Sequence, residues 1–374
     1  MADEDLFTDE QGEAEVSWKH LPPEREFFAS PYDPPVKALL QEIEDKELIV
    51  RPSFQRAFVW DPVRQSRFVE SVLLNIPIPN LFFAEDEDKT KVVVDGQQRL
   101  LALRNFRQNG LALRGLEALA PLNGKKYEDL TERQQKVFSN RTLRCLVISA
   151  KSDPELRFQV FERLNQGGVA LNAQEVRHCV YRGALNDLLH ELVEDEVWLA
   201  SLGRKTPNAR MIDCELALRF FCFRSRVRHY NTPLKGFLND FMRDHRFMQD
   251  GDVSEARNAF LTTVRKVHLV FGDKAFRRVE SRGGELHWDN APNRAVFDAQ
   301  MLVFERMEQQ FVEDRAADIR SSYIGLCSDT DFSDAVSRAT ADVSRVRTRI
   351  AKLVDAMNLL GAGLDSVQLL PAAE

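Results

Sequence analysis

The stretch KVVVDGQQRLLAL, Lys91 to Leu103, sets an acid, a glycine, two amides and a guanidinium where a buried strand passes into a helix. A helix beginning near Gln97 leaves its first N–H groups without intrahelical partners and carries partial positive charge at its tip. Gly96 lets another group come close to the backbone. Arg99, in the first turn, offers a planar fork of donors suited to phosphate oxygens. Together these residues make an anion site, most naturally for a polyphosphate. Gln97 and Gln98 could bind a base or sugar, or orient an attacking water as glutamine does in some GTPases. Asp95 could hold Mg²⁺, directly or through water. A plainer alternative stands beside this one: Asp95 only caps the helix, Gly96 only turns the chain, and Arg99 pairs with an acid. The residues themselves leave both open.

Two further segments have the same character. RPSFQRAFVW repeats the Gln-Arg pair at Gln55-Arg56, among Phe54, Phe58 and Trp60, which would wall a pocket or simply fill a core. FERLNQGGVALNAQEVR places Asn165 and Gly167-Gly168 in a polar connection between two capped helices, where a helix–helix turn is the simpler account.

Taken in order, PSFQRAFVW, ESVLLNIPIPNLFF, VVVDGQQRLLAL and FERLNQGGVALNAQEVR resemble the DGQQR-motif domain of GmrSD-type modification-dependent restriction enzymes. Related domains occur in phosphorothioate-sensing phage-defence effectors. The superfamily is ParB/sulfiredoxin-like, and its members bind nucleotide phosphates with a comparable strand–turn–Arg element. The resemblance spans roughly residues 35–230, and more loosely PNRAVFDAQM at 292–301. It implies nucleotide binding, NTP hydrolysis in several relatives, and DNA cleavage or its control. By position, Gln55 and Arg56 match the QR box, Asp95 to Arg99 the DGQQR box, and Asn165 and Gly168 an N-x-x-G connection. Many relatives continue DGQQRL with Thr-Thr-Leu, but this chain reads LALRNF and lacks those hydroxyls. Larger relatives also carry a C-terminal HNH nuclease. Here His287 stands with Trp288 and Asp289 in an expected loop after RGGE, without the other groups of an HNH site. DNA cutting would then fall to the N-terminal domain or a recruited partner.

The resemblance and the residues together lead to a functional expectation. The chain is expected to bind and hydrolyse a nucleoside triphosphate, GTP or ATP, with Mg²⁺, in anti-phage restriction defence acting on or sensing foreign DNA. An NTP-dependent DNA endonuclease is the stronger form of that reading. In this scheme Gln97, Gln98, Arg99 and Asp95 are catalytic, and Asp95 is the metal ligand. Gln55, Arg56, Gly96, Arg99, Asn165 and Gly168 bind nucleotide. Arg99→Ala should then abolish turnover while leaving the fold intact. The alternative is a non-catalytic, nucleotide-gated oligomerisation or adaptor module controlling a separate effector nuclease encoded nearby. A DNA-binding adaptor with a vestigial pocket is more distant.

The elements that must position these groups follow from pattern. The 374 residues, 44% hydrophobic and 29% charged, suit a globular core. No apolar run reaches the ~18 residues of a membrane span, and the N-terminus lacks a signal-peptide pattern; a cytoplasmic protein with no membrane partner is expected. Asp3, Glu4, Asp5, Asp9, Glu10, Glu13 and Glu15 make an acidic tail without a base, and the remaining acids equal the 51 Lys and Arg. The body is thus neutral, which argues against a purely electrostatic DNA coat but permits a local basic patch. The five scattered cysteines show no metal-ligand spacing and read as buried thiols.

The fold class expected is α+β: a small ParB-like mixed α/β N-terminal domain followed by an all-helical domain. Residues 1–30 are read as a disordered acidic tail and Pro-rich arm, 31–150 as the ParB-like domain, 151–363 as helical, and 364–374 as a tail. Asp61-Pro62 opens one helix, and Asp153-Pro154 another. Asn172 with Glu175 forms a capping-box spacing. Strands at 81–84 and 91–94 form a hairpin, with a helix over 97–108 and a further strand in TLRCLVISA. Helices are expected over 211–228, 233–245, 253–271 and 293–311. Val336, Ala339, Val343, Val346, Ile350, Leu353, Met357 and Leu360 form a heptad seam. It would pack on the chain's own helices or join two copies in a homo-oligomer. Arg338, Arg345, Arg349 and Lys352 share another face, solvated or phosphate-contacting. Arg204, Lys205 and Arg210, with Arg219, Arg224, Arg226 and Arg228 against Asp213 and Glu215, could give a DNA-facing patch, although some must be structural because Met211–Phe223 is apolar enough to be a buried helix.

Overall fold

The computed structural model describes residues 26–50, 60–164, 171–283 and 285–371. The acidic tail, the QR box Gln55-Arg56 and the connection with Asn165 and Gly168 lie outside them. Contacts divide the chain into two compact units, Leu21–Val180 and Tyr181 onward. Sequence pattern alone places the break near 150.

The first unit runs β1 (Ala29–Tyr32), α1 (Val36–Glu44), β2 (Leu48–Ile49), α2 (Pro62–Leu74), β3 (Leu81–Glu85), β4 (Lys91–Asp95), α3 (Gln97–Arg107), α4 (Glu132–Asn140), β5 (Cys145–Ile148), α5 (Pro154–Leu164) and α6 (Ala173–Val180). Its described strands form one five-stranded mixed sheet ordered β1-β5-β3-β4-β2. The β1/β5 and β3/β4 pairs are antiparallel; β3/β5 and β2/β4 are parallel. Val36, Leu39, Val69, Val72, Leu100, Leu103 and Phe106 from the first three helices pack with Leu81, Phe83 and Val93 of the sheet. Phe106, Tyr127 and Phe138 meet edge to face, which adds geometric preference to burial.

Local signals hold where the sequence placed them. Asp61 accepts from the N–H groups of Val63 and Arg64, with Pro62 at the first helical position. Asp153 accepts from Glu155 and Leu156 at 3.0 Å each. Asn172 and Glu175 cap one another reciprocally, at 2.7 and 2.9 Å. The extended Pro-rich arm ends in a pairing that the sequence reading did not specify: Ala29–Tyr32 is an edge strand on β5.

The second unit is largely helical: α7 (Ala184–Leu192), α8 (Glu196–Leu202), α9 (Ile212–Arg226), α10 (Leu234–Asp244), α11 (Asp250–Phe271), α12 (Arg294–Arg306), α13 (Gln309–Asp314), α14 (Ala316–Leu326), α15 (Thr330–Ala335), α16 (Val343–Asn358) and α17 (Ser366–Leu369), with a hairpin β6 (Val279–Arg282) and β7 (Glu285–Trp288). Fully buried Trp198 meets Phe260, Phe276 and Phe297 with ring centroids 5.2, 5.9 and 5.8 Å away. The expected helix over 293–311 breaks at Met307, whose backbone is extended.

The heptad seam is used internally. Val346, Ile350, Leu353 and Met357 are buried, and α16 packs on α12, α14 and α15. Val336 and Ala339 precede α16 rather than extending it. Arg349 is neither solvated nor available to phosphate. It is fully buried and donates to Asp298 at 2.7 Å, the acid that also takes both prongs of Arg219. Lys352 pairs with Asp329 and Asp331. No helix among the described residues is long and apolar enough to cross a membrane.

Candidate functional site at the strand–helix junction

Strand β4 delivers the motif. Val92, Val93 and Val94 are buried, and Asp95 is the first residue of the run to reach partial exposure. The β3/β4 register slips between Phe82 and Phe83, so Asp95 faces Phe82 while Val93 faces Phe83. A bulge of this kind re-aims the side chain beyond it.

Gly96 occupies the helix cap with φ +101°, and no side chain caps α3. A Cβ at this position would fall 2.1 Å from Leu81 Cδ2 and 3.3 Å from Arg99 Nη2. Glycine is therefore needed for backbone conformation and for side-chain space together. The groups that crowd it are the protein's own.

Arg99 is turned inward. Nη2 donates to Asp95 Oδ2 at 2.5 Å, while Nη1 donates to the carbonyl of Pro79 and, at 3.3 Å, to that of Asn80. Burial lowers the basicity of the guanidinium, and Asp95 opposes that shift. The plainer alternative, an Arg99 paired with an acid, is what the geometry displays. The other Asp95 oxygen, Oδ1, takes no hydrogen bond among the described residues.

The two glutamines separate. Gln97 is half-buried at the first helical position. Gln98 Oε1 accepts from the N–H of Trp60 at 3.5 Å, linking α3 to the chain just before α2. Behind this link, Gln65 Nε2 donates to the Trp60 carbonyl at 2.8 Å, and Asn105 Nδ2 to Gln65 Oε1 at 3.0 Å. Arg64 lies over the Trp60 ring at 4.7 Å. Sequence reasoning missed Gln65 and Asn105. The available signal was an amide on the inward side of each helix.

The remaining candidates divide by partner. Arg204, Lys205 and Arg210 lie in the α8–α9 connection, where Arg204 Nε donates to the Thr206 carbonyl at 3.2 Å. Arg219, Arg224 and Arg226 are bound to Asp298, to Glu255 and Glu305, and to Asp244. His287 stands on β7 opposite Glu280, not in a loop. Among the described residues no group of three His, Cys, Asp or Glu could hold a metal ion. Asp95 alone could therefore supply only one carboxylate to an Mg²⁺ otherwise held by phosphate and water, a habit of that ion.

Comparison with curated proteins and with solved structures returned no match. Residues 36–182 match the family described as the GmrSD restriction endonuclease, N-terminal domain. That match runs from the first residue of α1 to just past α6 and holds the whole DGQQR junction. The N-terminal part of this chain thus belongs to the GmrSD N-terminal domain family, a DGQQR, ParB-like family.

Proposed function

We propose that this chain is a nucleotide-dependent component of a restriction system that acts on or senses foreign DNA, with the Asp95–Arg99 junction as its nucleotide site. The tip of α3 carries the reading: it lacks a side-chain cap, follows a left-handed glycine, and presents Gln97 and Gln98 beside it. Such a tip favours anionic oxygens through its N–H groups and dipole. Membership of a restriction-enzyme domain family supports the setting.

In this reading Asp95 would hold Mg²⁺ through Oδ1, and the ion would neutralise phosphate charge when bound. Gln97 would place a water or contact the base. Arg99 would brace the turn and meet phosphate with the donors that Asp95 and the carbonyls leave over. Gln55, Arg56, Asn165 and Gly168 join by the family pattern. The test is a thermal-shift series with GTP and ATP, each with Mg²⁺, followed by phosphate release with and without DNA. Stabilisation that Asp95→Asn loses in its Mg²⁺-dependent part supports the assignment; no shift with either nucleotide sinks it.

One observation favours a second reading. Arg99 and Gln98 are both engaged within the protein, which suits a pocket that binds nucleotide without cleaving it and gates a separate effector. Saturable nucleotide binding without phosphate release would decide for it.

A further inference from the structure

The charge of the first unit is unevenly spent. Arg104 and Arg107 in the last turn of α3, with Arg114, Lys125 and Lys126 in the connection to α4, form no ion pair among the described residues. The backbone gathers them. Leu113 N–H donates to the Lys125 carbonyl at 2.9 Å and Gly124 N–H to the Leu113 carbonyl at 2.7 Å, so Arg114 and the Lys125-Lys126 pair flank one ladder. The Arg107 guanidinium lies over the Tyr127 ring at 4.5 Å, beside Lys126. Arg104, three residues earlier, shares that side of α3.

Arg107, Arg114 and Lys126 are exposed; Arg104 and Lys125 are half-buried. Of the nearby acids, Glu117 is paired with Arg67 at 2.8 Å, while Glu128 and Asp129 keep their charge and are held by neutral donors, Asn109 at 3.2 Å and the Lys126 N–H at 2.8 Å. Five cations thus stand against two acids without an ion pair among the described residues of this segment. Gly124, at φ +84°, forms a tip with nothing within 4 Å of a would-be Cβ. Among the described residues, none of the large exposed apolar side chains falls between Arg104 and Thr131.

We propose that this surface, Arg104, Arg107, Arg114, Lys125 and Lys126, binds the phosphate backbone of duplex DNA. Exposed cations without acid partners bind phosphate without first breaking an ion pair, and each phosphate they neutralise releases condensed counterions. Stacking on Tyr127 pre-orders the Arg107 fork. The segment offers no large exposed apolar side chain of its own, and its neighbour Val63, against Gly115, is a small anchor for a protein partner, whose interface would need more. The patch also stands on a body whose acids and bases balance, the formal −7 lying in the acidic tail. In naming DNA the inference rests on the restriction reading; the location of the surface rests on charge alone.

The test measures anisotropy of a labelled random-sequence duplex against the full chain across a salt series. Arg114→Gln/Lys125→Gln/Lys126→Gln is compared with wild type and with Lys37→Gln/Lys46→Gln/Lys151→Gln, which removes equal charge from exposed sites elsewhere in the unit. The patch triple should bind at least about tenfold more weakly, and its log-affinity against log-salt slope should flatten by about 0.9 for each phosphate it no longer neutralises. The control triple should change far less, and all three proteins should melt alike. If wild type binds DNA and the two triples weaken equally, or the patch triple not at all, the surface is wrong and the restriction reading stands. Displacement by polyglutamate as effective as by DNA, charge for charge, would overturn the choice of partner. Absence of duplex binding at any salt removes both the surface and the DNA reading, while the nucleotide series still reports on the junction.

Discussion

Arg99 and Asp95 hold each other across the strand–helix junction, guanidinium Nη2 to carboxylate Oδ2 at 2.5 Å, while the other guanidinium nitrogen serves the carbonyls of Pro79 and Asn80. Three segments meet on one side chain: the end of β4, the first turn of α3 and the approach to β3. Arg99→Ala would strand a carboxylate and two carbonyls, so it cannot be the fold-neutral probe that the sequence suggested. A loss of about 2–4 kcal/mol is expected, since charge-assisted bonds contribute roughly 1.5–3 kcal/mol each and solvent partly replaces them. Arg99→Lys should fall between, because a single ammonium cannot fork. Urea denaturation of the full chain measures both. An unchanged midpoint for Arg99→Ala would mean the pair is idle.

Gly96 and Leu81 should show coupled rather than additive effects. Gly96→Ala imposes a left-handed φ on an L-residue, a strain of about 1–3 kcal/mol, and sets its Cβ 2.1 Å from Leu81 Cδ2. Leu81→Ala alone opens a cavity under the sheet, at about 2–5 kcal/mol. The double variant removes the collision but keeps the strain. Its destabilisation should therefore be smaller than the sum of the two singles, the sign expected for residues sharing one space. Additivity within error would show that the backbone moves to relieve the clash.

Much of the fold was readable where its cause is local. Asp61-Pro62, Asp153-Pro154 and the Asn172/Glu175 box act over three residues, and each opens its helix as read. The junction was legible for the same reason, including the alternative in which Arg99 meets an acid only four positions away. What stayed out of view depended on distant partners. The extended arm gains a strand at Ala29–Tyr32 because Cys145–Ile148 offers it an edge, a partner that lies more than 110 residues away. Arg349 looked like surface because helical spacing says nothing of Asp298, which lies 51 residues earlier. Arg219 sits on a helix apolar enough to be read as buried, and its acid confirms it as structural, whereas Arg114 and Lys125 drew no notice although no ion pair among the described residues neutralises them. Residue type announces a charge; only tertiary structure says whether it is spent.

Asp298 is the acid shared by Arg219 and Arg349, and all three are buried. Burial lowers the basicity of Arg349, Asp298 raises it, and Arg219 lowers it again. Two cations on one carboxylate tolerate no loss of the acid. Asp298→Asn should cost about 3–5 kcal/mol, because it leaves buried charge uncompensated. Arg219→Met with Asp298 intact should cost less, since Arg349 still neutralises the acid. Thermal denaturation ranks the two, and the reverse order would show that Arg349 alone does not suffice.

Asp213 supplies a pH test. Burial pushes its carboxyl up to about 6 from an ordinary 3.8, against the opposing N–H bonds of Asn208, at 2.5 Å, and Cys214, at 2.9 Å. Between those values the folded chain keeps a proton that the unfolded chain has released. Stability from this group is therefore full below about pH 4 and falls as pH rises through 6, by about 3 kcal/mol at most. Glu191 and Asp329 behave oppositely: Arg257 and Lys352 hold their carboxyls low, so their stabilisation disappears as pH falls. Asp213→Asn isolates the contribution of this one carboxyl, since it keeps those pairs but cannot titrate. The advantage of wild type over Asp213→Asn, from denaturation at matched salt, should be largest near pH 4 and shrink steadily toward 7. A difference that stays flat across that range would mean the Asp213 carboxylate is ionised throughout, with its two backbone donors outweighing burial.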